Sequence, residues 1–134
     1  MPKRLSKIHR RRWAVYVAAL KRRYPLPHPV HVVTRRLHKN LGGDANLLSG
    51  KRKHYKIRIN SNYSFGPRRE TLAHEYAHCL ATLSWHEVDG ADPIADHDEI
   101  WAVWNSRCER LLTETYAALP DELKEKADRG IDSP

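Results

Sequence analysis

The sequence predicts an α+β fold: a basic N-terminal helix, a small antiparallel sheet, a helix carrying His-Glu-x-x-His packed on that sheet, and a long C-terminal helix. Three observations predict it. Apolar residues recur at helical spacing in three stretches, around Trp13 to Leu20, Leu72 to Leu83 and Ile100 to Tyr116. Between the first two lie β-branched or alternating runs, Val30 to Leu37 and Tyr55 to Ile59. Proline and glycine clusters separate all of them. A chain of 134 residues fits a single domain, 1–134, with a core that needs no disulfides.

The first helix spans Lys7 to Arg23, with Ile8, Trp13, Val15, Tyr16, Val17, Leu20 and Tyr24 as its apolar stripe and clustered Lys and Arg elsewhere. Pro25-Leu26-Pro27-His28-Pro29 cannot sustain a helix and makes an extended connector, so residues 1–25 form a basic helical segment ahead of a core at 28–119. Two strands follow, separated by turn signals at Gly42-Gly43-Asp44-Ala45-Asn46 and Ser49-Gly50. A short third strand fits at Ala45 to Leu48, leaving Lys51, Arg52 and Lys53 at a hairpin tip.

Gly66 and Pro67 break the chain before the motif helix, and Glu70 supplies a favourable first-turn charge. That helix is expected to reach about Ser84, with Leu72, Tyr76, Cys79, Leu80 and Leu83 facing the sheet. Thr71, His74, His78 and Ala81 fall on another face. Trp85 to Asp96 reads as a loop. Asp96 then caps a helix whose Ile100, Trp101, Trp104, Cys108, Leu111, Leu112, Thr115 and Tyr116 form a core stripe up to Pro120. Residues 120–134 carry a short helix at Asp121 to Ala127, stopped by Gly130, and a tail.

Charge is divided unevenly. Residues 1–69 hold 19 Lys and Arg against the single acid Asp44, net +18, whereas residues 70–134 are net −10. The excess in the first half exceeds what the second can balance, which points to a polyanion partner, nucleic acid first. Arg10, Arg11, Arg12, Lys21, Arg22, Arg23, Lys51, Arg52 and Lys53 are the candidate phosphate contacts, with Trp13 or Tyr55 as stacking platforms if exposed.

No run of about 18 apolar residues exists, so no membrane span is expected. Arg10-Arg11-Arg12 before an apolar run resembles a short signal or transit segment. Lys21-Arg22-Arg23 stands where a cleavage site would belong, which favours a mature basic helix. Cys79 and Cys108 form no Cys-x-x-Cys pair and read as buried thiols of an intracellular protein, in cytoplasm, nucleoid or nucleus, a virus-infected host included.

His74-Glu75-Tyr76-Ala77-His78 carries the chemistry. Positions i and i+4 stack on one helix face, so two imidazoles can grip one ion while the carboxylate between them enters the same site. A zinc ion held by two His and one further ligand keeps a position for water, and a nearby Glu can take that water's proton. His97, 19 residues after His78, ranks first as third ligand; Glu99 and His86 compete, with Asp96 and Asp98 nearby.

Residues 28–112 resemble the SprT-like (Spartan-like) zinc metalloproteases: a strand, a turn-rich link, a strand ending in Ile57-Arg58-Ile59-Asn60, then Thr71-Leu72 ahead of the motif. A third His follows, in His97-Asp98-Glu99-Ile100-Trp101, where that family has His-Gly-x-x-aromatic. Asp98 replaces the glycine, and the zinc-ribbon tail of many members is missing. The resemblance implies a minimal zincin-like protease in which His74, His78 and His97 bind zinc, Glu75 is the general base, and the substrates are proteins attached to DNA. The oxyanion stabiliser stays open among Tyr55, Tyr63 and a basic side chain. Two other readings use the same residues. One is a zinc hydrolase acting on a nucleotide or amide; the other is a noncatalytic DNA-binding module stabilised by zinc.

Overall fold

A computed structural model describes residues 7–49, 51–61, 69–86 and 99–124, with side chains in 83–86 excepted. The elements are α1 (Lys7–Arg23), β1 (Val30–Arg35), β2 (Gly43–Leu48), β3 (His54–Asn60), α2 (Arg69–His86) and α3 (Glu99–Ala117), then a single 3₁₀ turn at Asp121–Leu123. The fold is α+β, as expected. The motif helix packs against β2, β3 and α3.

The sheet corrects one expectation: it is mixed, in the order β1-β3-β2, with β1 parallel and β2 antiparallel to β3. Connectivity explains the difference. β2 and β3 are joined directly by residues 49–53, which forces an antiparallel pair. The chain leaving β1 turns back through residues 36–42 around the end of β3 and returns as β2 on its far side. β1 and β3 are therefore linked by the whole of 36–53, long enough for a parallel pair.

Asn60 anchors that turn. Its side-chain amide donates to the carbonyls of His38 and Leu41, its Oδ1 accepts from the Leu37 amide at 3.1 Å, and its own amide donates to the Gly42 carbonyl at 2.8 Å. A polar side chain with no solvent exposure is tolerated because its hydrogen-bonding groups find backbone partners.

The core gathers Tyr16 and Leu20 from α1, Val30, Tyr55, Ile57 and Ile59 from the sheet, Leu72, Tyr76, Cys79 and Leu80 from α2, and Cys108 and Leu112 from α3. Ala73, Ala77 and Ala81 are also fully buried. The motif helix is thus covered on more than the one expected stripe, and its alanines let neighbouring elements approach closely. Tyr76 donates its hydroxyl to the Tyr24 carbonyl at 2.7 Å, tying α2 to the end of α1. The short C-terminal helix expected at 121–127 is a 3₁₀ turn over Asp121–Leu123, which buries Leu123; residues 125–134 lie outside the described residues.

Both cysteines are buried free thiols. Burial raises Cys108 from an ordinary value of 9.0 to about 12. Between those values the unfolded chain has released a proton that the native chain keeps, so rising pH favours unfolding. Stability from this group is fully present below pH 9 and is lost as pH climbs towards 12. Denaturant titrations are expected to show this decline, flattened in Cys108→Ala; an identical alkaline profile in the variant would remove Cys108 as a cause.

Candidate metal centre

The helical repeat places His74 and His78 one turn apart on α2, and their rings meet edge-on with centroids 4.8 Å apart. The two Nε2 atoms lie 3.2 Å from each other. An ion at the usual zinc–nitrogen distance of about 2.0–2.1 Å from both would see them at about 100–106°, near a tetrahedral angle. One ligand atom from each of His74, Glu75 and His78 falls within 4.8 Å of the others, so this group can hold a metal ion.

Glu75 is 6% exposed. Being one residue from His74, its side chain leaves the helix about 100° further round, towards the start of β2. There it meets Gly43. A Cβ on Gly43 would stand 3.4 Å from both Glu75 Cγ and Oε2, and 2.6 Å from the Arg58 carbonyl oxygen. Absence of a side chain at Gly43 therefore provides the space that Glu75 occupies. Gly43→Ala is expected to cost about 1–3 kcal/mol, because the obstructing atom is backbone. Thermal denaturation measures this, and an unchanged midpoint would show that β2 shifts freely.

Trp101 forms the other wall. Its ring stacks on His78 at 5.6 Å and 28°, meets His74 edge-on at 4.8 Å, and its Nε1 donates to the His74 carbonyl at 3.2 Å. Periodicity alone put Trp101 in a core stripe; its spacing from His97 was the signal for a place at the site. Thr82 Oγ1 donates to the His78 carbonyl at 2.8 Å, one turn on.

Glu99 opens α3 and is exposed. His97, Asp96 and Asp98 lie outside the described residues, as do the side chain of His86 and all of Tyr63. Tyr55 is 2% exposed in the core, where burial, with Cys79 beside it, raises its hydroxyl pKa. It serves packing and offers no face for base stacking.

The basic side chains divide into different groups. Arg12, expected to contact phosphate, is instead buried and donates to the Leu123 carbonyl at 3.3 Å. The reason is register: Arg12, Tyr16 and Leu20 share the buried stripe of α1. Arg11 pairs with Glu122 at 3.6 Å, and Arg58 grips Asp44 through two hydrogen bonds, which raises the guanidinium pKa further. Arg10, Lys21, Arg22, Arg23, Lys51, Arg52 and Lys53 are exposed, while Trp13 is half-buried against Tyr16.

Sequence reading missed a second basic cluster. A groove of about 970 Å³ between the end of α1 and α3 is lined by Arg23, Arg107 and Arg110 around Tyr24 and Trp104. Arg23 lies over Tyr24 and Arg107 over Trp104, each 5.0 Å from the ring centre, and the two rings meet edge-on at 5.5 Å. Arg107 and Arg110 were hidden in the acidic half of the chain.

Among the described residues, no helix is long and apolar enough to cross a membrane. Comparison with known proteins finds no family model, no curated protein and no solved structure that matches the chain.

Proposed function

We propose that the protein is a zinc-dependent metallopeptidase of SprT-like, zincin-like type that acts on DNA-associated proteins. The observation that carries this reading is the convergence of two imidazole nitrogens 3.2 Å apart beside a buried carboxylate. Imidazole donors suit zinc, and two His with one further ligand make a catalytic rather than a closed set. His74 and His78 hold the ion, with His97 as third ligand and Glu99 or His86 as competitors. When bound, zinc lowers the pKa of water and polarises a carbonyl.

Glu75 takes a proton from the attacking water, whose oxygen adds to the scissile carbonyl carbon. As the C–N bond breaks, the same carboxyl returns the proton to the departing amine. Trp101 packs on both imidazoles and holds their orientation. Burial of Glu75 against Gly43 keeps the carboxylate in one place before substrate arrives.

Support for a nucleic-acid partner is the set of exposed cations on α1 and at the β2–β3 tip, together with Arg23, Arg107 and Arg110 beside two aromatic rings. Affinity for a labelled oligothymidylate is expected to fall about tenfold or more between roughly 50 and 200 mM salt. A flat salt response would remove the polyanion reading. The enzymatic reading is tested by cleavage of a casein-type substrate with and without chelator, and with nucleotides offered instead. Chelator-sensitive proteolysis supports it. Nucleotide hydrolysis without proteolysis would move the site to the alternative metal hydrolase, and unfolding on chelation with no activity to lose would make the metal structural.

A further inference from the structure

The sheet has a second edge, opposite Gly43 and Glu75, which the proposed chemistry does not use. β1 is paired with β3 alone among the described residues. Two hydrogen bonds fix which of its backbone groups are used: the Tyr55 amide donates to the Pro29 carbonyl, and the Ser61 amide to the Arg35 carbonyl. In a parallel ladder the bonded residues of one strand alternate, so Pro29, His31, Val33 and Arg35 point their backbone groups at β3. Val30, Val32 and Thr34 therefore point their carbonyls and amides outward.

Those three residues line a groove of about 800 Å³ whose opposite wall is α1, presenting Arg10, Trp13, Val17 and Lys21. The helix wall is apolar in the middle and cationic at both ends. Arg10 and Lys21 are eleven residues apart, about 16 Å along the axis, which is the span of about five extended residues. A row of alternate backbone donors and acceptors suits another polypeptide backbone and not a sugar-phosphate chain. Cations at both ends of the helix wall are complementary in charge to a chain with acidic ends.

We propose that the groove between α1 and the free edge of β1 takes an extended peptide with acidic ends, added to the sheet as a fourth strand. Main-chain hydrogen bonds to Val30, Val32 and Thr34 supply the pairing, and Arg10 and Lys21 select the charge. The site lies across the sheet from the metal cluster and is independent of its chemistry, so Glu75→Gln leaves it unchanged.

The probe is a fluorescein-labelled hexapeptide of alternating valine and threonine with a glutamate at each end, followed by fluorescence anisotropy on the full chain. Saturable binding is expected. Val32→Pro removes one outward amide without touching the β1–β3 ladder, since proline is accepted at an edge position; about tenfold weaker binding with an unchanged circular dichroism spectrum is expected. Lys21→Glu, a surface change, should weaken the same peptide about fivefold or more and favour a lysine-ended version. Should Val32→Pro misfold, the Lys21→Glu result and a peptide N-methylated at alternate residues carry the test, because methylation removes the main-chain donors. Absence of saturable binding, equal binding by folded Val32→Pro, or equal binding of the methylated peptide would overturn the proposal. So would displacement by oligothymidylate from wild type and Val32→Pro alike, which would make the groove a polyanion site and leave the peptidase reading untouched.

Discussion

Replacing Glu75 with Gln is expected to reduce peptide hydrolysis by about 10²–10⁴-fold while metal stays bound. The two side chains have the same shape, so the space beside Gly43 stays filled and a buried polar group still has hydrogen-bonding capacity. What disappears is the ability to accept a proton. Turnover of a casein-type substrate and metal content per chain are the two readouts. Unchanged turnover would remove Glu75 from the proton transfer. Loss of metal with retained fold would instead make Glu75 a ligand alongside His74 and His78. His74→Ala serves as the contrasting variant, since it should lose metal and activity together.

Asn60→Ala is expected to be strongly destabilising, at about 2–4 kcal/mol. The side chain satisfies the carbonyls of His38 and Leu41 and the Leu37 amide where its own exposure is nil. Truncation leaves these groups to find other partners, and leaves a cavity. Asn60→Asp should not rescue, because a carboxylate cannot donate to two carbonyls and would be buried as a charge. Equilibrium unfolding measures the loss, and a drop below about 0.5 kcal/mol would mean that the 36–42 turn holds itself. Because that turn leads into Gly43, a second consequence is loosening of the place where Glu75 sits.

Several elements were legible because their signals are local. Lys7–Arg23 was readable from an apolar stripe ending at three alternating prolines, and His54–Asn60 from strict alternation. Burial of Leu72, Tyr76, Cys79 and Leu80 followed from helical spacing. The antiparallel β2–β3 hairpin was legible from its turn residues, but the direction of β1 was not. Nothing in the composition of 36–42 says that it wraps around the end of β3, and Asn60 looks like an ordinary strand-terminating polar residue until its partners are known. Arg12 was misassigned for a related reason: its register is that of Tyr16 and Leu20, yet its charge reads as surface. The guanidinium is accepted inside because a backbone carbonyl of the terminal turn receives it.

The sequence by itself determined that two histidines share one helical face with a glutamate beside them, because a 3.6-residue period allows nothing else once the helix forms. It also determined that the chain has a strongly basic first half. Tertiary structure alone decided the rest. It placed Gly43 against Glu75, set Trp101 over both imidazoles, removed Arg12 from the surface, and assembled Arg23 with Arg107 and Arg110 around two aromatic rings. These are contacts between residues far apart in sequence. They depend on strand order and helix docking, which hydrophobic periodicity does not encode.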